Sequence, residues 1–528
     1  MAPTTTTRSF RTTWNAVAAA FACCIALASC GGGGGGSASV VPDPGVDGPA
    51  WWQHGRDAQH AAQGAIATQD LNRISWSTAV DLVPPRQPNG TLLIHYGSPV
   101  VTSHNTVVVP VKTALDGGFR VEARSGGNGG LIWSANTDYV LPPHNWVPSY
   151  NLALTTGNRL FFPGSGGKLW VKNDADAGPG MPVSVVFYGS AAYNASPAAF
   201  DASVFVNTPL TVDAQGNVYF GFVVTAANPA GLASGIARVD ANGVGVWTSA
   251  SVAAADAAIA KVAMNSAPAL SPDGRTLYVA VNTAPQAGVV QAGYLLALDS
   301  TTLGLKSRAA LVDPAAGTLA RISDDSSASP TVGPDGDVYY GVLETTFGSH
   351  NARGWLLHFD AALAPKGVPG GFGWDITTSI VPVSMVPSYA GGSSYLLMTK
   401  YNNYAGVGTG DGANRLAIID PNASQTDTIS GLPIMREVLT IIGPTFVSGT
   451  SGPVEEWCIN TAAVDPATKS VLVNSEDGYL YRWDLVANSL SQRIQLTSGV
   501  GQAYTPTVIG ADGKVYAINN AVLFSIAK

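Results

Sequence analysis

Charge is scarce in this 528-residue sequence. Only 12% of the residues are Asp, Glu, Lys or Arg, against 46% hydrophobic. Disordered chains need the opposite balance, so a large buried core is expected. Long solvated helices need charged faces, and there are too few charges to build them. With 60 Gly and 34 Pro, the composition favours short strands and tight turns. Basic clusters are also missing. The net charge of −8 provides no phosphate-binding surface and excludes a nucleic-acid partner. Cysteine is nearly absent, with four in the chain, and no Cys-x-x-Cys-His marks an attached haem. No Gly-x-Ser-x-Gly, His-Glu-x-x-His or phosphate loop occurs. Gly164-Ser165-Gly166-Gly167-Lys168 has the wrong spacing for a phosphate loop and reads as a hairpin turn.

Two of the four cysteines fall in a leader. Residues 1–29 carry Arg8 and Arg11, then an apolar run from Ala16 to Leu27. That run is too short to span a bilayer and has the layout of a secretory signal peptide. It ends in Leu27-Ala28-Ser29-Cys30, which resembles the bacterial lipobox. The resemblance implies cleavage before Cys30, lipidation of its sulfur, and a Gly/Ser-rich tether over residues 30–50. Gly31 stands where Asp would mark inner-membrane retention. The resemblance therefore implies an outer-membrane lipoprotein of a Gram-negative bacterium, facing the periplasm or the surface. Cleavage removes Cys23 and Cys24 and leaves Cys30 and Cys458, so no internal disulfide is expected. Loss of Arg8 and Arg11 leaves 25 basic against 35 acidic residues, a mature charge of −10.

Beyond the leader the sequence repeats. Segments recur that open on a Pro or a small residue: "GSPVV" at 97, "VPSYN" at 147, "NTPLTV" at 207, "SAPALS" at 266, "ASPTVG" at 328, "VPSYAG" at 386, "NTAAVD" at 460 and "YTPTVI" at 504. A turn and a β-rich run follow most of them, as in "SPDGRTLYVAV" and "GPDGDVYYGV". A third strand then ends in Asp, as in "GIARVD", "YLLALD", "WLLHFD", "RLAIID" and "YLYRWD". Several units close on a Trp strand: "LIWSA", "GVWTSA" and "FGWDI". Eight units of four short antiparallel strands predict an all-β, eight-bladed β-propeller spanning residues 51–528. The last unit has three strands before Lys528. The missing fourth is expected from Arg73 to Thr78, "RISWST", which would close the ring and remove its open edges. Glu476-Asp477-Gly478 falls at a strand reversal, where Asp-Gly supplies a hairpin's positive φ.

These units resemble the repeats of the PQQ-like propellers, the superfamily of quinoprotein dehydrogenases and their non-enzymatic relatives. Ser98-Pro99-Val100-Val101 opens a blade and Asn474-Ser475-Glu476-Asp477-Gly478-Tyr479-Leu480-Tyr481 forms a blade's middle. "WWQHGRDAQHAAQ", Trp51 to Gln63, is similar to the family's Trp-rich segment before the closing strand. The enzymatic branch is implied to bind PQQ with adjacent cysteines and Ca²⁺ with a carboxylate and Asn. The mature chain has no adjacent cysteines, and only fragments of the tryptophan-docking repeat survive, such as Ala297 to Thr302. The resemblance thus implies the non-enzymatic branch: an outer-membrane-anchored binding or scaffold module for an envelope protein, peptide or ligand, with no cofactor. The alternative is a quinoprotein-like dehydrogenase, or a metal-dependent hydrolase or lyase, using PQQ or a metal ion at the channel mouth.

Inner strands converge on a propeller's axis, so the residues just before them are expected to line one mouth. Counting four back from each opening position gives His95, His144, Phe205, Met264, Ser326, Val383, Cys458 and Gln502. His95, His144 and Cys458 would form one arc with Gln502, suited to a soft metal or simply to a polar pore. Asp324-Asp325 and Glu455-Glu456 lie nearby. On a strand, one carboxylate of each pair would face the channel. Trp146 and Trp457 flank the same mouth and suit ligand stacking or core packing.

Overall fold

Aspartate sets turns at one end of every blade but the first, where Asn128 Oδ1 accepts the Gly130 N–H instead. At the close of the third strand, Asp240 Oδ1 accepts the backbone N–H groups of Asn242 and Val244. Asp299 accepts those of Thr301 and Thr302, Asp360 those of Ala362 and Ala364, and Asp484 those of Val486 and Ala487. These Asx turns explain the recurrent terminal Asp, because the carboxylate replaces the ladder partner that each turn N–H has lost. Asp273, Asp335 and Asp512 do the same between first and second strands, each followed by a glycine at positive φ. Glu476-Asp477-Gly478 joins Ser470–Asn474 to Tyr479–Asp484, with Gly478 at φ 86°. Asp477 accepts from Tyr479 N–H and from the Tyr481 and Thr445 hydroxyls. The pair is a hairpin corner, and its aspartate is spent on holding it.

The structure, a computed structural model, describes residues 45–88, 90–178, 180, 182–345, 353–406, 410–457, 459–499 and 505–528. Cys30, Cys458 and Gln502 lie outside them, as do the leader and most of the tether. The described chain folds as an eight-bladed β-propeller of antiparallel sheets. Blade 1 is Val100–Val101, Thr106–Ala114, Gly117–Ser125 and Leu131–Thr137 from the axis outward. The innermost strands of blades 2 to 8 are Ala153–Leu154, Thr211–Val212, Ala269–Leu270, Thr331–Val332, Ser379–Pro382, Ala463–Asp465 and Val508–Ile509. Their residues are nearly all buried, whereas the outer strands alternate buried and exposed positions as one-sided sheets do. Among the described residues no helix is long and apolar enough to cross a membrane.

Ring closure follows the expected pairing. Arg73–Ala79 runs antiparallel to Val522–Ala527, from Arg73 opposite Ala527 to Ala79 opposite Val522, with one bulge near Trp76. Trp76 donates Nε1–H to the Gly126 carbonyl of blade 1, and Trp133 on blade 1 donates to the Ala175 carbonyl of blade 2. A Trp on the closing strand thus staples its blade to the next one, since a buried indole N–H needs a partner.

Three expectations fail locally. "FGWDI" forms no strand: among the described residues blade 5 has only Thr331–Val332, Val338–Val342 and Trp355–Phe359, and its fourth place is filled by isolated bridges at Pro365 and Gly370. The intervening Pro and Gly residues cannot sustain a ladder. "VPSYN" does not open blade 2, where Ala153–Leu154 comes later; Val147 instead bridges Ile94 in parallel. "VPSYAG" does not open blade 6, because Ser379–Pro382, with β-branched Ile380 and Val381, precedes it, so Val383 falls past the inner strand.

The strand order gives the ring two unlike ends. All inner strands end on the side of the Asx turns, and there the segment from Trp51 to Gln69 visits every blade in ring order. Val101 N–H donates to the Trp51 carbonyl at 2.9 Å, Leu154 to Trp52 at 2.7 Å, and Val212 to the Gln53 side chain. Leu270 donates to Ala58, Val332 to Gln59, Ile380 to Ala61 and Val464 to Ala62, and Gln69 N–H reaches the Gly513 carbonyl of blade 8. Left-handed conformations at Gly55, Arg56, His60 and Ala62 coil the segment tightly enough to do this. It stoppers the axis at this end. The opposite end carries the long loops, among them 138–152, 186–203, 250–258 and 311–326.

Candidate functional site

A cavity of about 400 Å³ opens at the loop-bearing end. Its walls come from the approach to blade 2 (Pro143 to Trp146), from blade 4 (Met264, Pro285 and Gln291) and from the approach to blade 5 (Arg321 and Ser323 to Asp325). The repeats position these walls, because each inner strand is entered from this side. Chemistry-bearing groups are often carried this way, on loops held by a rigid scaffold.

Asp324 anchors the floor. Its Oδ1 meets Lys261 Nζ at 2.5 Å and accepts from Asn282 Nδ2 at 3.1 Å, and its Oδ2 accepts from Gln291 Nε2 at 3.0 Å. Burial opposes its ionisation, but the Lys261 charge and these bonds outweigh burial and hold its pKa below the usual carboxylate range. Asn265 ties the approaches together: its Oδ1 accepts from Ser149 N–H at 2.9 Å, and its Nδ2 donates to the Asp324 and Ser326 carbonyls. His95 is buried below, with Nε2 2.9 Å from the Asp325 carbonyl and its ring 5.8 Å from Trp146. Burial lowers the His95 pKa even though Asp375 and Asp325 oppose that shift.

The structure therefore brings His144, Trp146, Asp324 and Asp325 to one cavity, with His95 beneath them and Met264 among the walls. Asp324 and Asp325 lie in a turn rather than on a strand, so strand alternation does not orient them. Glu455, Glu456 and Trp457 lie apart from the cavity. Trp457 is fully buried and packs edge-on against Tyr481. Glu456 accepts from the Tyr404 hydroxyl and from Asn402. Glu455 is half-buried in coil, and burial raises its pKa. His144 lies in the loop before blade 2 and hydrogen-bonds the Pro142 carbonyl at 2.7 Å. Among the described residues no group of three or more His, Cys, Asp or Glu side chains is placed to hold a metal. Counting back from the openings could not find Gln291, from the loop between strands two and three of blade 4. Nor could it find Arg321, which lies farther from its inner strand.

A second cavity of about 300 Å³ lies at the stoppered end, beside Trp52, Gln53, Asp57, Asp213 and Asp273. Its carboxylates serve the turns: Asp213 accepts from two backbone N–H groups, Asn217 Nδ2 and Tyr219 Oη. Asp57 accepts from the Gln59 and Ala61 N–H groups.

The residues of the loop-side cavity do not suit PQQ. A planar polyanionic quinone needs uncommitted cations and few carboxylates. Here Lys261 is committed to Asp324, Arg321 in the wall has an interaction of its own, and Asp325 adds a second negative charge.

No family model matches this sequence, and no curated protein matches it. Among solved structures, a europium-containing methanol dehydrogenase is similar at TM-score 0.53 and 11% identity, with 90% of each chain covered. The quinohemoprotein alcohol dehydrogenase of Comamonas testosteroni is similar at TM-score 0.54 and 14% identity, covering 91% of this chain and 81% of that one. BamB from Moraxella catarrhalis aligns at TM-score 0.45 and 13% identity, over 86% of this chain and all of that one. The likeness is one of fold: this chain has the eight-bladed propeller architecture that its repeats predict.

Proposed function

We propose that this chain is a lipid-anchored envelope propeller, a non-catalytic module that binds a protein, peptide or ligand on its loop-bearing end. The unlike ends of the ring carry the reading. One end is stoppered by the chain's own N-terminal segment and built of saturated Asx turns. The other presents long loops around the larger cavity. A lipid on Cys30 would tether the ring from its stoppered end, since the described chain enters there: Gly48 N–H donates to the Ser103 carbonyl in the first turn of blade 1. Two acyl chains, at about 0.8 kcal/mol per buried CH₂, anchor firmly. The outer membrane is the expected site, with the loop-bearing end free to meet a partner.

Capture from detergent-solubilised outer membranes after cross-linking tests the reading. A reproducible partner, lost when the loops 138–146 and 311–322 are replaced by short turns, is expected. Recovery of monomer alone would remove the protein and peptide partners and leave only a small ligand. Cys30→Ala should release the protein from the membrane fraction, and retention there would refute the anchor.

The fold likeness to two dehydrogenases favours one other reading, a quinoprotein-like oxidoreductase. Reconstitution with PQQ and Ca²⁺ followed by a dye-linked alcohol assay decides it. Cofactor absorbance and turnover would establish the enzyme and displace the binding module.

A further inference from the structure

The composition of the loop-side cavity narrows its ligand, and any such ligand rests on the binding role proposed for this end of the ring. The cavity's charges balance. Of the wall residues Asp324 and Asp325 are negative and Arg321 is positive, and Lys261, which is not in the wall, pairs with Asp324 at 2.5 Å. A cationic ligand would find one acid already neutralised, and a polyanion would meet Asp325. Its polar groups present both signs of hydrogen bond. Gln291 Nε2 is fixed by Asp324 Oδ2 at 3.0 Å and by the Thr283 carbonyl at 3.2 Å, so its Oε1 is held as an acceptor. Asp325 Oδ1 takes the Ser323 hydroxyl, and Oδ2 is not spent on that bond. Arg321 and Asn145 supply donors. Against these polar groups stands Trp146, half-buried, its ring braced by His95 at 5.8 Å. A volume of about 400 Å³ suits a small organic ligand rather than a protein segment.

A neutral ligand with one apolar face and a rim of groups that both donate and accept matches all four features. That is the chemistry of a pyranose ring. We propose that this cavity is a saccharide subsite, in which a sugar ring stacks its C–H face on Trp146 and its hydroxyls bond Asp325, Gln291 and Arg321. Asp324 is a positioning residue: it orients Gln291 and holds Lys261 without meeting the sugar.

The lipidated full-length protein, in a detergent without a sugar headgroup, is titrated with cellobiose, N,N′-diacetylchitobiose and galactobiose. Tryptophan fluorescence and saturation-transfer NMR give the readout. The expected result is saturable binding of at least one at about 1 mM. It should weaken by about tenfold or more in Trp146→Ala and Asp325→Ala. Trp146→Phe, which keeps a stacking platform, should bind between wild type and Trp146→Ala, and Trp457→Phe, a core change, should bind as wild type does. Melting curves of each variant separate lost binding from lost folding. No saturable binding of any of the three overturns the proposal. So does binding that neither Trp146→Ala nor Asp325→Ala weakens, and so does saturable binding of trilysine at the cavity in place of the sugars. The two readings fail separately. A captured protein partner with no sugar binding removes only the saccharide, whereas sugar binding with no captured partner removes the protein partner and keeps the subsite.

Discussion

Gln53→Ala removes a side chain that stands in for backbone. At blades 1, 2, 4, 5, 6 and 7 a main-chain carbonyl of the stopper receives the N–H of an inner strand. At blade 3 the coil steps away, and Gln53 fills the gap: its Oε1 accepts from Val212 N–H and its Nε2 donates to the Val212 carbonyl at 3.2 Å. Gln53 is 1% exposed, so truncation orphans two buried backbone groups. Each such orphan costs about 1–3 kcal/mol. Gln53 and Val212 both line the cavity of about 300 Å³ at this end, so water can enter and rebond them. That points to the lower end of the range, a total of about 2–3 kcal/mol. Over roughly 480 folded residues the unfolding entropy is about 1 kcal/mol per degree, so Tm should fall by about 2–3 °C in differential scanning. Gln59→Ala is the control. Its side chain donates to the Leu270 and Ser271 carbonyls, while its main-chain carbonyl still holds Val332. It should cost about 1 kcal/mol or less. If Gln53→Ala melts with wild type, or no lower than Gln59→Ala, the stopper's bonds contribute nothing and the reasoning fails.

Deleting residues 70–80 strips blade 8 of its closing strand and removes the bond from Trp76 to Gly126. The ring should lose cooperative melting and associate through the bared edge, which size-exclusion chromatography would detect; an unchanged Tm would disprove ring closure by this strand. His60 is packed at 5.2 Å against His54, and burial lowers its pKa from 6.5 to about 4 although the Pro330 carbonyl opposes the shift. The unfolded chain takes up this proton first as pH falls, so stability is complete above about pH 6.5 and drops by about 3 kcal/mol toward pH 4. Urea titrations of His60→Gln should show that slope flattened. Glu344 behaves in the opposite sense, since burial, with Asp313 adding, raises its pKa from 4.5 to about 7. The folded state keeps its proton while the unfolded state loses it, so its contribution is complete below about pH 4.5 and fades as pH rises through 7. Glu344→Gln should therefore melt above wild type at pH 8 and with it at pH 4.5.

The blades were legible because their turns are chemical rather than statistical. An Asp that caps a hairpin and an Asp-Gly that allows positive φ leave the same residues at the same offsets in each repeat. The two misplaced openings share one cause. Both "VPSYN" and "VPSYAG" follow Pro with Ser-Tyr, whereas the five openings correctly placed on a Pro follow it with Val-Val, Leu-Thr, Ala-Leu or Thr-Val. An innermost strand is buried on both faces and needs apolar or β-branched residues there. The residues after Pro, rather than Pro itself, carried the signal. The stopper left no periodicity to read. Its partners are seven separate strands and the first turn of blade 8, so successive residues obey neither a period of 2 nor one of 3.6.

The cavity was half legible for a related reason. Counting along the chain finds what lies just before each inner strand, and this placed Met264 and the loops bearing Trp146 and Asp324. It cannot find groups that reach the mouth from another strand pair, such as Gln291, or from the far side of an approach, such as Arg321. The structure also separates two uses of one residue type. At the stoppered end, aspartates meet backbone N–H groups of their own turn, a local pattern repeated from blade to blade that specifies the fold. At the loop end, Asp324 meets Lys261 from 63 residues away, and Asp325 lends its carbonyl to His95 from 230 residues away. Such contacts belong to one place in the ring, so no repeat can encode them. They rest on one chain's loop lengths, and the specificity of the proposed binding role would reside in such unrepeated contacts while the repeats supply the scaffold.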